Sequence, residues 1–166
     1  MFQIGFKCKP LDPEKLFKME MVADIMLNLL AGKSSELYRR LTDKQLMQLE
    51  LSREVFSGNG YFSLILSGES VDPDAVLAEV WECIDIAAEQ GFDEHTFELI
   101  KKADYGTMVQ LLGYAETCAE DMTLTYFSGK KCFDLEETLA SVTLDDVNAA
   151  VKELFARDRY TISVLR

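Results

Sequence analysis

The sequence of 166 residues contains a single histidine, His95. Zinc-hydrolase motifs such as His-Glu-x-x-His and His-x-x-Glu-His need two histidines on one helix face, and this chain cannot supply them. The run His95-Thr96-Phe97-Glu98 is followed by Leu99, so it is at best half of such a site. We interpret His95 as an exposed residue in the first turn of a helix.

Positive charge and long apolar runs are also scarce. Seventeen Lys and Arg residues stand against 29 Asp and Glu residues, for a formal net charge of −12. This balance argues against nucleic acid and anionic membrane surfaces as partners, because phosphate binding requires a basic stripe. No apolar run reaches the ~18 residues of a membrane span. Residues 1–9 alternate instead of forming a basic and then apolar signal sequence.

The cysteines form no Cys-x-x-Cys pair and no zinc-ribbon spacing; they are Cys8, Cys83, Cys118 and Cys132. Such usage favours buried, reduced thiols in a reducing compartment, so we expect a cytoplasmic location. A nucleophilic pair of Cys118 and His95 is the less favoured alternative.

The first half of the chain predicts a strand, two helices and a hairpin. Apolar residues alternate from Phe2 to Cys8, which is the period of a half-buried strand. Asp12-Pro13 begins a helix that stops at Gly32, and Ser34 or Ser35 caps a shorter helix towards Leu46. Strands over Met47–Phe56, whose apolar face Arg53 interrupts, and Tyr61–Ser67 then flank the turn Ser57-Gly58-Asn59-Gly60.

The second half predicts a series of helices and a last strand. The expected features are a helix from Asp72 to Gly91, a helix from Asp93 through Leu112 that contains Gly106, a helix from Ala115 to about Phe127, a loop at Gly129, a helix with a capping box between Thr143 and Asp146, and a strand over Tyr160–Val164.

This order is a βαββαβ layout whose second helical crossover is enlarged. The expected fold class is α+β, in two layers: an antiparallel four-stranded sheet with the helices on one face. The other sheet face must be solvated or covered by another domain. No linker, low-complexity tract or internal repeat interrupts the chain, so we predict one domain over residues 1–166.

Three stretches of the chain carry a resemblance to a known family. They are Leu30 to Leu41 with its Gly-x-Ser-Ser-Glu-Leu-Tyr run, Gly68-Glu69-Ser70 followed by Asp72-Pro73-Asp74, and Phe97-Glu98 leading to Lys101-Lys102. Together with the element order, they resemble the later, non-catalytic domain of pitrilysin/insulinase-type zinc peptidases. The resemblance is to smaller bacterial members, relatives of the mitochondrial processing peptidases, and covers Phe2 to Val164.

The resemblance implies a role without catalysis in this chain. Members of the family carry two or four related α/β domains that enclose a chamber in which unfolded peptides are cut. One domain binds zinc through a His-x-x-Glu-His helix and a further Glu, whereas the later domain lacks the metal, closes the chamber and contacts the substrate. We therefore expect a fragment of a larger protein. Its expected partners are a zinc-binding catalytic domain, on the same chain or a separate subunit, and a peptide substrate. A homo-oligomer remains open.

No site residue follows from the resemblance. Some insulinase-type members place an Arg and a Tyr, seven residues apart, against the substrate, and the matching positions here are Leu41 and Gln48. Both depart from the pattern, so we assign no substrate-binding, catalytic, metal or cofactor residue. We interpret the nearby Arg39 and Arg40 as a solvated helix face.

Two further functions stay open at the level of sequence. A free-standing acidic α+β interaction module could dimerise through its open sheet face or accept a peptide at a sheet edge. A small enzyme that uses paired carboxylates is the weaker alternative. Pairs such as Asp145-Asp146 and Glu136-Glu137 arise by chance among 29 acidic residues, and both suit helix starts.

Overall fold

The computed structural model describes residues 1–127 and 134–165, so the predicted loop at Gly129 and Cys132 lie outside the described residues. The strands are β1 (Phe2–Lys7), β2 (Ser52–Gly58), β3 (Tyr61–Gly68) and β4 (Tyr160–Val164). The helices are α1 (Pro13–Ala31), α2 (Glu36–Asp43), α3 (Pro73–Gln90), α4 (Glu94–Leu112), α5 (Ala115–Phe127), α6 (Leu135–Ser141) and α7 (Leu144–Leu154).

The four strands form one antiparallel sheet in the order β2-β3-β1-β4. Ile4 pairs with Leu66 on one side and with Ile162 on the other, which fixes the register around the central strand. The α+β fold and its four-stranded antiparallel sheet are thus as predicted. The sheet face that points away from the helices carries exposed polar side chains such as Gln3 and Lys7.

Apolar side chains of alternate strand residues make the sheet side of the core. Phe6 is fully buried, and its ring packs edge-on against Trp81 of α3 and Phe155, with ring centroids 5.5 and 4.8 Å apart. Helix α1 supplies much of the opposing layer and contacts α7, α4, α3 and β2. Each such buried side chain contributes roughly 1.5–3 kcal/mol, so this layer dominates the stability.

Helix starts follow the predicted caps, with one difference. Asp72 accepts a hydrogen bond from the Ala75 amide (3.0 Å), and Thr143 and Asp146 form a reciprocal capping box. Asp12 makes no side-chain cap; its backbone carbonyl instead accepts from the Lys15 and Leu16 amides. The sequence pattern places the helix start correctly but does not determine how its first amides are paired.

The predicted first half of β2 is wrong. The strand begins at Ser52, and residues 47–51 form an irregular segment across the end of the sheet. Met47 and Leu51 are buried, but Leu49 between them is 77% exposed. The alternation of apolar residues resembles the pattern of a strand. In the fold, however, residues 47–51 are positioned by Met47 packing against Gly68.

Arg53 interrupts the apolar face of β2 for a reason that the sequence does not reveal. Its Nη1 donates to the carbonyl of Ala31 (3.1 Å), at the C-terminus of α1, where the last turn carries no basic residue of its own. A guanidinium at a helix C-terminus satisfies an unpaired carbonyl and complements the helix dipole. Arg53 therefore ties the edge strand to α1.

Candidate functional site

A groove of about 910 Å³ lies at the end of the sheet where β1 and β2 begin and β3 and β4 end. We call it the sheet-end groove. Its lining comes from residues 1–3, 45–50, 52, 67–71, 163 and 165. The groove thus combines both ends of the chain, the loop after α2 and the loop before α3.

The end of α2 shapes one wall of this groove. The Leu46 amide donates to the carbonyl of Leu41 and the Gln45 amide to that of Thr42, both at 2.9 Å. This is the Schellman pattern, and it places Gln45 at φ 55° in the left-handed region that glycine usually occupies. The reversal directs residues 45–50 back over the sheet end.

A glycine forms the floor. An added Cβ at Gly68 would lie 2.4 Å from Cε of Met47 and 3.4 Å from both Leu51 and Phe2, so a side chain there would displace the floor. Ser70 joins the two walls: its hydroxyl donates to the Leu46 carbonyl (2.7 Å) and accepts from the Asp72 amide. The groove is therefore a braced part of the fold.

The rim of the groove is apolar and exposed. Leu49, Val71 and Leu165 are 77%, 94% and 72% exposed. Glu50 and Glu69 supply negative charge, and no lysine, arginine, histidine or cysteine is among the lining residues. Such a lining suits an extended, apolar or basic segment, and it offers no nucleophile paired with a base.

Sequence reasoning missed most of this groove because it interpreted residues 47–51 as a strand. Gln48 is exposed on the groove wall, whereas Leu41 is buried, 3% exposed. Of the two positions that match the family's substrate pair, one therefore faces the groove. The positive φ at Gln45 has no sequence signal, since glycine or asparagine would normally mark it.

The two arginines of α2 have different environments. Arg39 is exposed and pairs with Glu36 (2.7 Å), which agrees with a solvated helix face. Arg40 contacts Glu36 and reaches Glu82 of α3 at 2.5 Å, and its hydrogen bond lowers the pKa of Glu82. The Arg40 side chain is 24% exposed, so it is only partly solvated, and spacing within α2 could not reveal its partner on α3.

Glu79, on the same face of α3, is buried and is the acceptor for Lys44 Nζ. Arg40 Nη1 lies 3.6 Å from its other carboxylate oxygen. These pairs hold α2, and with it the following residues 45–50 of the groove wall, against α3. Removing one cation would leave buried negative charge without compensation, which is expensive.

The possible metal ligands in the described part of the chain do not fit zinc. His95 is exposed in the first turn of α4, as predicted, beside Asp93, which caps the helix at the Thr96 amide (2.8 Å). Within the described residues, no three His, Cys, Asp or Glu side chains are grouped so that they could hold a metal ion. A structural or catalytic zinc needs at least three such ligands.

The three cysteines that the structure describes do not form a nucleophilic site either. Cys118 lies in the first turn of α5, and His95 lies at the opposite end of α4, which is about 28 Å long at 1.5 Å per residue. Cys8 and Cys83 are buried, and burial raises the pKa of each thiol to about 11. Both thiols are therefore protonated at neutral pH and behave as small apolar groups.

The acidic pairs serve helix starts. Asp146 accepts from the Thr143 amide (3.0 Å) and hydroxyl and pairs with Lys18 of α1. These contacts lower the pKa of Asp146 despite its partial burial. Fold and site together define an α+β domain with a groove at its sheet end. Among the described helices, none is both long and apolar enough to cross a membrane.

Comparison with known proteins agrees with this class. The family model described as Peptidase M16 inactive domain matches residues 1–103. The chain therefore belongs to the Peptidase M16 inactive domain family, as the insulinase-type resemblance implies. It is also 29% identical, over 149 residues, to a Bacillus subtilis protein described as an uncharacterized zinc protease, covering 90% of this chain and 35% of that protein.

Solved structures share the fold. An M16-like peptidase from Alicyclobacillus acidocaldarius is similar with a TM-score of 0.85 at 22% identity, covering 97% of this chain and 39% of that one. A protease from Helicobacter pylori has a TM-score of 0.78 at 15% identity, covering 97% and 40%. An inactive peptidase domain from Bordetella parapertussis has a TM-score of 0.76 at 16% identity, covering 98% and 87%. The chain thus spans little more than a third of the longer relatives.

Proposed function

We propose that residues 1–166 are the C-terminal, non-catalytic domain of a zinc-dependent M16 peptidase, where they form part of a chamber wall and contact unfolded peptides. The observation that carries the proposal is the sheet-end groove, whose lining offers an apolar rim and uncharged amides but no zinc donors beyond two separate carboxylates. Membership of the inactive-domain family supports the same division of labour.

The proposed substrate contact follows from the chemistry of the groove. Leu49 and Val71 give an extended peptide apolar surface to cover, and Gln48 can donate to and accept from a peptide backbone. Glu50 is shared with Lys33 (3.5 Å) and Arg53 (3.3 Å), so Glu69 is the carboxylate left for a basic side chain. The domain therefore favours neutral or basic segments over acidic ones.

The proposed partner is the zinc-binding domain that the inactive domain lacks, on the same chain or a separate subunit. Zinc chemistry belongs to that partner, and this chain contributes confinement and orientation of the peptide. We also propose a cytoplasmic location, which the free thiols at Cys8, Cys83 and Cys118 support.

The test is peptide cleavage by the His-x-x-Glu-His domain of the same M16 protein, with and without this chain. We expect the chain to raise kcat/KM for an unfolded, basic fluorogenic peptide by about tenfold, the scale of 1.4 kcal/mol. The groove variant Leu49→Ser/Val71→Ser should lose most of that gain through a higher KM. The matched control is Leu99→Ser, since Leu99 is 53% exposed on α4, away from the groove.

Two outcomes would count against the proposal. If the wild-type chain leaves cleavage unchanged, a chamber-wall role is wrong and the free-standing interaction module gains support. If the groove variant and Leu99→Ser behave alike, the groove does not contact the substrate.

A further inference from the structure

The second half of α4 and α5 expose an unusual amount of apolar surface. We call residues 105–127 the α4–α5 hairpin. Of the 17 large hydrophobic residues exposed in the described part of the chain, eight lie in it: Tyr105, Val109, Leu111, Leu112, Tyr114, Met122, Tyr126 and Phe127. Monomeric proteins rarely leave such a contiguous set uncovered unless it is an interaction surface.

Among the residues that the structure describes, few hold helix α5 in place. Its main packing partner is α4. Among the α5 side chains that the structure describes, the buried one is Thr125, whereas Met122, Tyr126 and Phe127 are 40%, 77% and 81% exposed. A 13-residue helix whose described large apolar side chains are exposed is marginal in water on its own. The hairpin therefore has the apolar composition of a buried element, but its described large apolar side chains are exposed.

The composition of the hairpin matches the core of a protein–protein interface. Such cores are rich in tyrosine, phenylalanine and methionine and poor in lysine. Between Lys102 and Lys130 the sequence has no lysine or arginine and four acidic residues, Asp104, Glu116, Glu120 and Asp121. Two copies of this surface would bring like charges together, which is unfavourable. The complementary partner is an apolar surface with a basic rim.

The longer relatives have room for such a partner within one polypeptide. This chain covers 35% of the Bacillus subtilis zinc protease and 39% of the Alicyclobacillus acidocaldarius peptidase, so most of each protein lies outside the matching part. The open sheet face is a poorer docking surface, because its exposed rings of Phe56 and Tyr61 lie among polar residues such as Gln3 and Lys7. The hairpin also shares no residue with the sheet-end groove.

We propose that the α4–α5 hairpin is the surface on which the zinc-binding domain of the same M16 protein docks, through an apolar contact rimmed by basic residues of that domain. This inference rests on the proposed function. It names the docking surface that the function requires and leaves the groove free for peptide.

The experiment measures binding of the separately prepared His-x-x-Glu-His domain to this chain by calorimetry. Tyr126→Ser/Phe127→Ser removes the two most exposed aromatic residues of the hairpin, whose ring centroids are 5.7 Å apart. We expect at least tenfold weaker binding and an unchanged unfolding midpoint. Leu49→Ser/Val71→Ser, equally exposed but on the groove rim, should bind within about twofold of wild type.

Each result decides the matter. Equal binding by the hairpin variant and wild type, or no binding by wild type, overturns the proposed surface. Sedimentation of the isolated chain should show a monomer, and a dimer that Tyr126→Ser/Phe127→Ser dissociates would overturn it in favour of a second copy. The proposed function fails separately, when wild type binds the zinc domain without changing peptide cleavage.

Discussion

Two regions of the molecule contain similar apolar residues but differ in how far they are buried. One is the core between the sheet and α1, and the other is the α4–α5 hairpin. Phe6 of β1 is fully buried and is enclosed by Trp81 and Phe155, whereas Phe127 of α5 is 81% exposed. Both regions are rich in large apolar side chains, so composition alone does not distinguish them. The core between the sheet and α1 is thus stabilised by contacts within this chain, whereas the hairpin presents its apolar side chains to a partner.

The strongest test of this contrast truncates one phenylalanine in each region. Phe6→Ala should lower the free energy of unfolding by about 3–5 kcal/mol, because a fully buried ring leaves a cavity. Phe127→Ala should change it by less than about 0.5 kcal/mol, as for other exposed positions. Urea denaturation of both variants measures the difference. A large loss in Phe127→Ala would mean that the hairpin is already packed in the isolated chain.

Two glycines give a smaller effect of opposite sign. Gly32→Ala, at the end of α1, would place its Cβ 2.4 Å from the backbone carbonyl oxygen of Asn28, which cannot rotate aside, and should destabilise by about 1–3 kcal/mol. Gly106→Ala adds a methyl group inside α4 where no atom beyond the neighbouring helix backbone lies within 4 Å, and should stabilise by about 0.5–1 kcal/mol. Thermal midpoints should shift in opposite directions. A shift in the same direction for both would contradict the comparison.

Two threonines contrast a packed helix start with an exposed helix. Thr143→Ala breaks the capping box of α7 and should lose about 1 kcal/mol of stability. Thr123 lies on the exposed face of α5, where its hydroxyl donates to the Ala119 carbonyl (2.7 Å). Thr123→Ala should be close to neutral, because that bond merely duplicates a helical acceptor. Equal losses in urea denaturation would show that α5 is as firmly held as α7.

A pH-dependent effect is expected at Asp104, where the hairpin leaves the core. Burial, with a lesser contribution from the charge of Asp24, raises the pKa of Asp104 to about 6 from 3.8. Between these two pH values the folded protein keeps a proton that the unfolded chain releases, so stability falls as pH rises through this window. The loss should be about 1 kcal/mol, allowing for solvent screening of this half-buried group.

Asp104→Asn should remove that pH dependence, as measured by unfolding midpoints between pH 4 and 7. Glu120→Gln, exposed on α5, is the control and should leave the profile as in wild type. A profile that stays the same in Asp104→Asn would mean that Asp104 titrates as it does in the unfolded chain.

Local signals predicted most of the fold. The period-two run from Phe2, the caps at Ser35 and Asp72 and the stop at Gly91, with φ 74°, each act within a few residues, so the sequence carries them openly. The Arg40 contact with Glu82 joins residues 42 positions apart, and no local pattern records it.

The sheet-end groove could not be predicted from the sequence for a related reason. It is formed by residues from both ends of the chain and from two loops, and its shape depends on the left-handed Gln45 and on Met47 lying against Gly68. A pattern of alternating apolar residues in an irregular segment looks like a strand until the tertiary contact is known. The sequence likewise did not predict that the apolar side chains of the hairpin are exposed. Helical periodicity is the same whether an apolar stripe is buried within the domain or exposed for a partner to bind.

The most direct test of the account is the behaviour of the pure chain with zinc and an unfolded peptide. We predict no cleavage that a chelator abolishes, because the described residues offer one exposed histidine and no cluster of metal ligands. Peptide hydrolysis and zinc content after dialysis are measured on the same sample. Chelator-sensitive cleavage that disappears in His95→Ala would contradict the account and make this domain a catalyst in its own right.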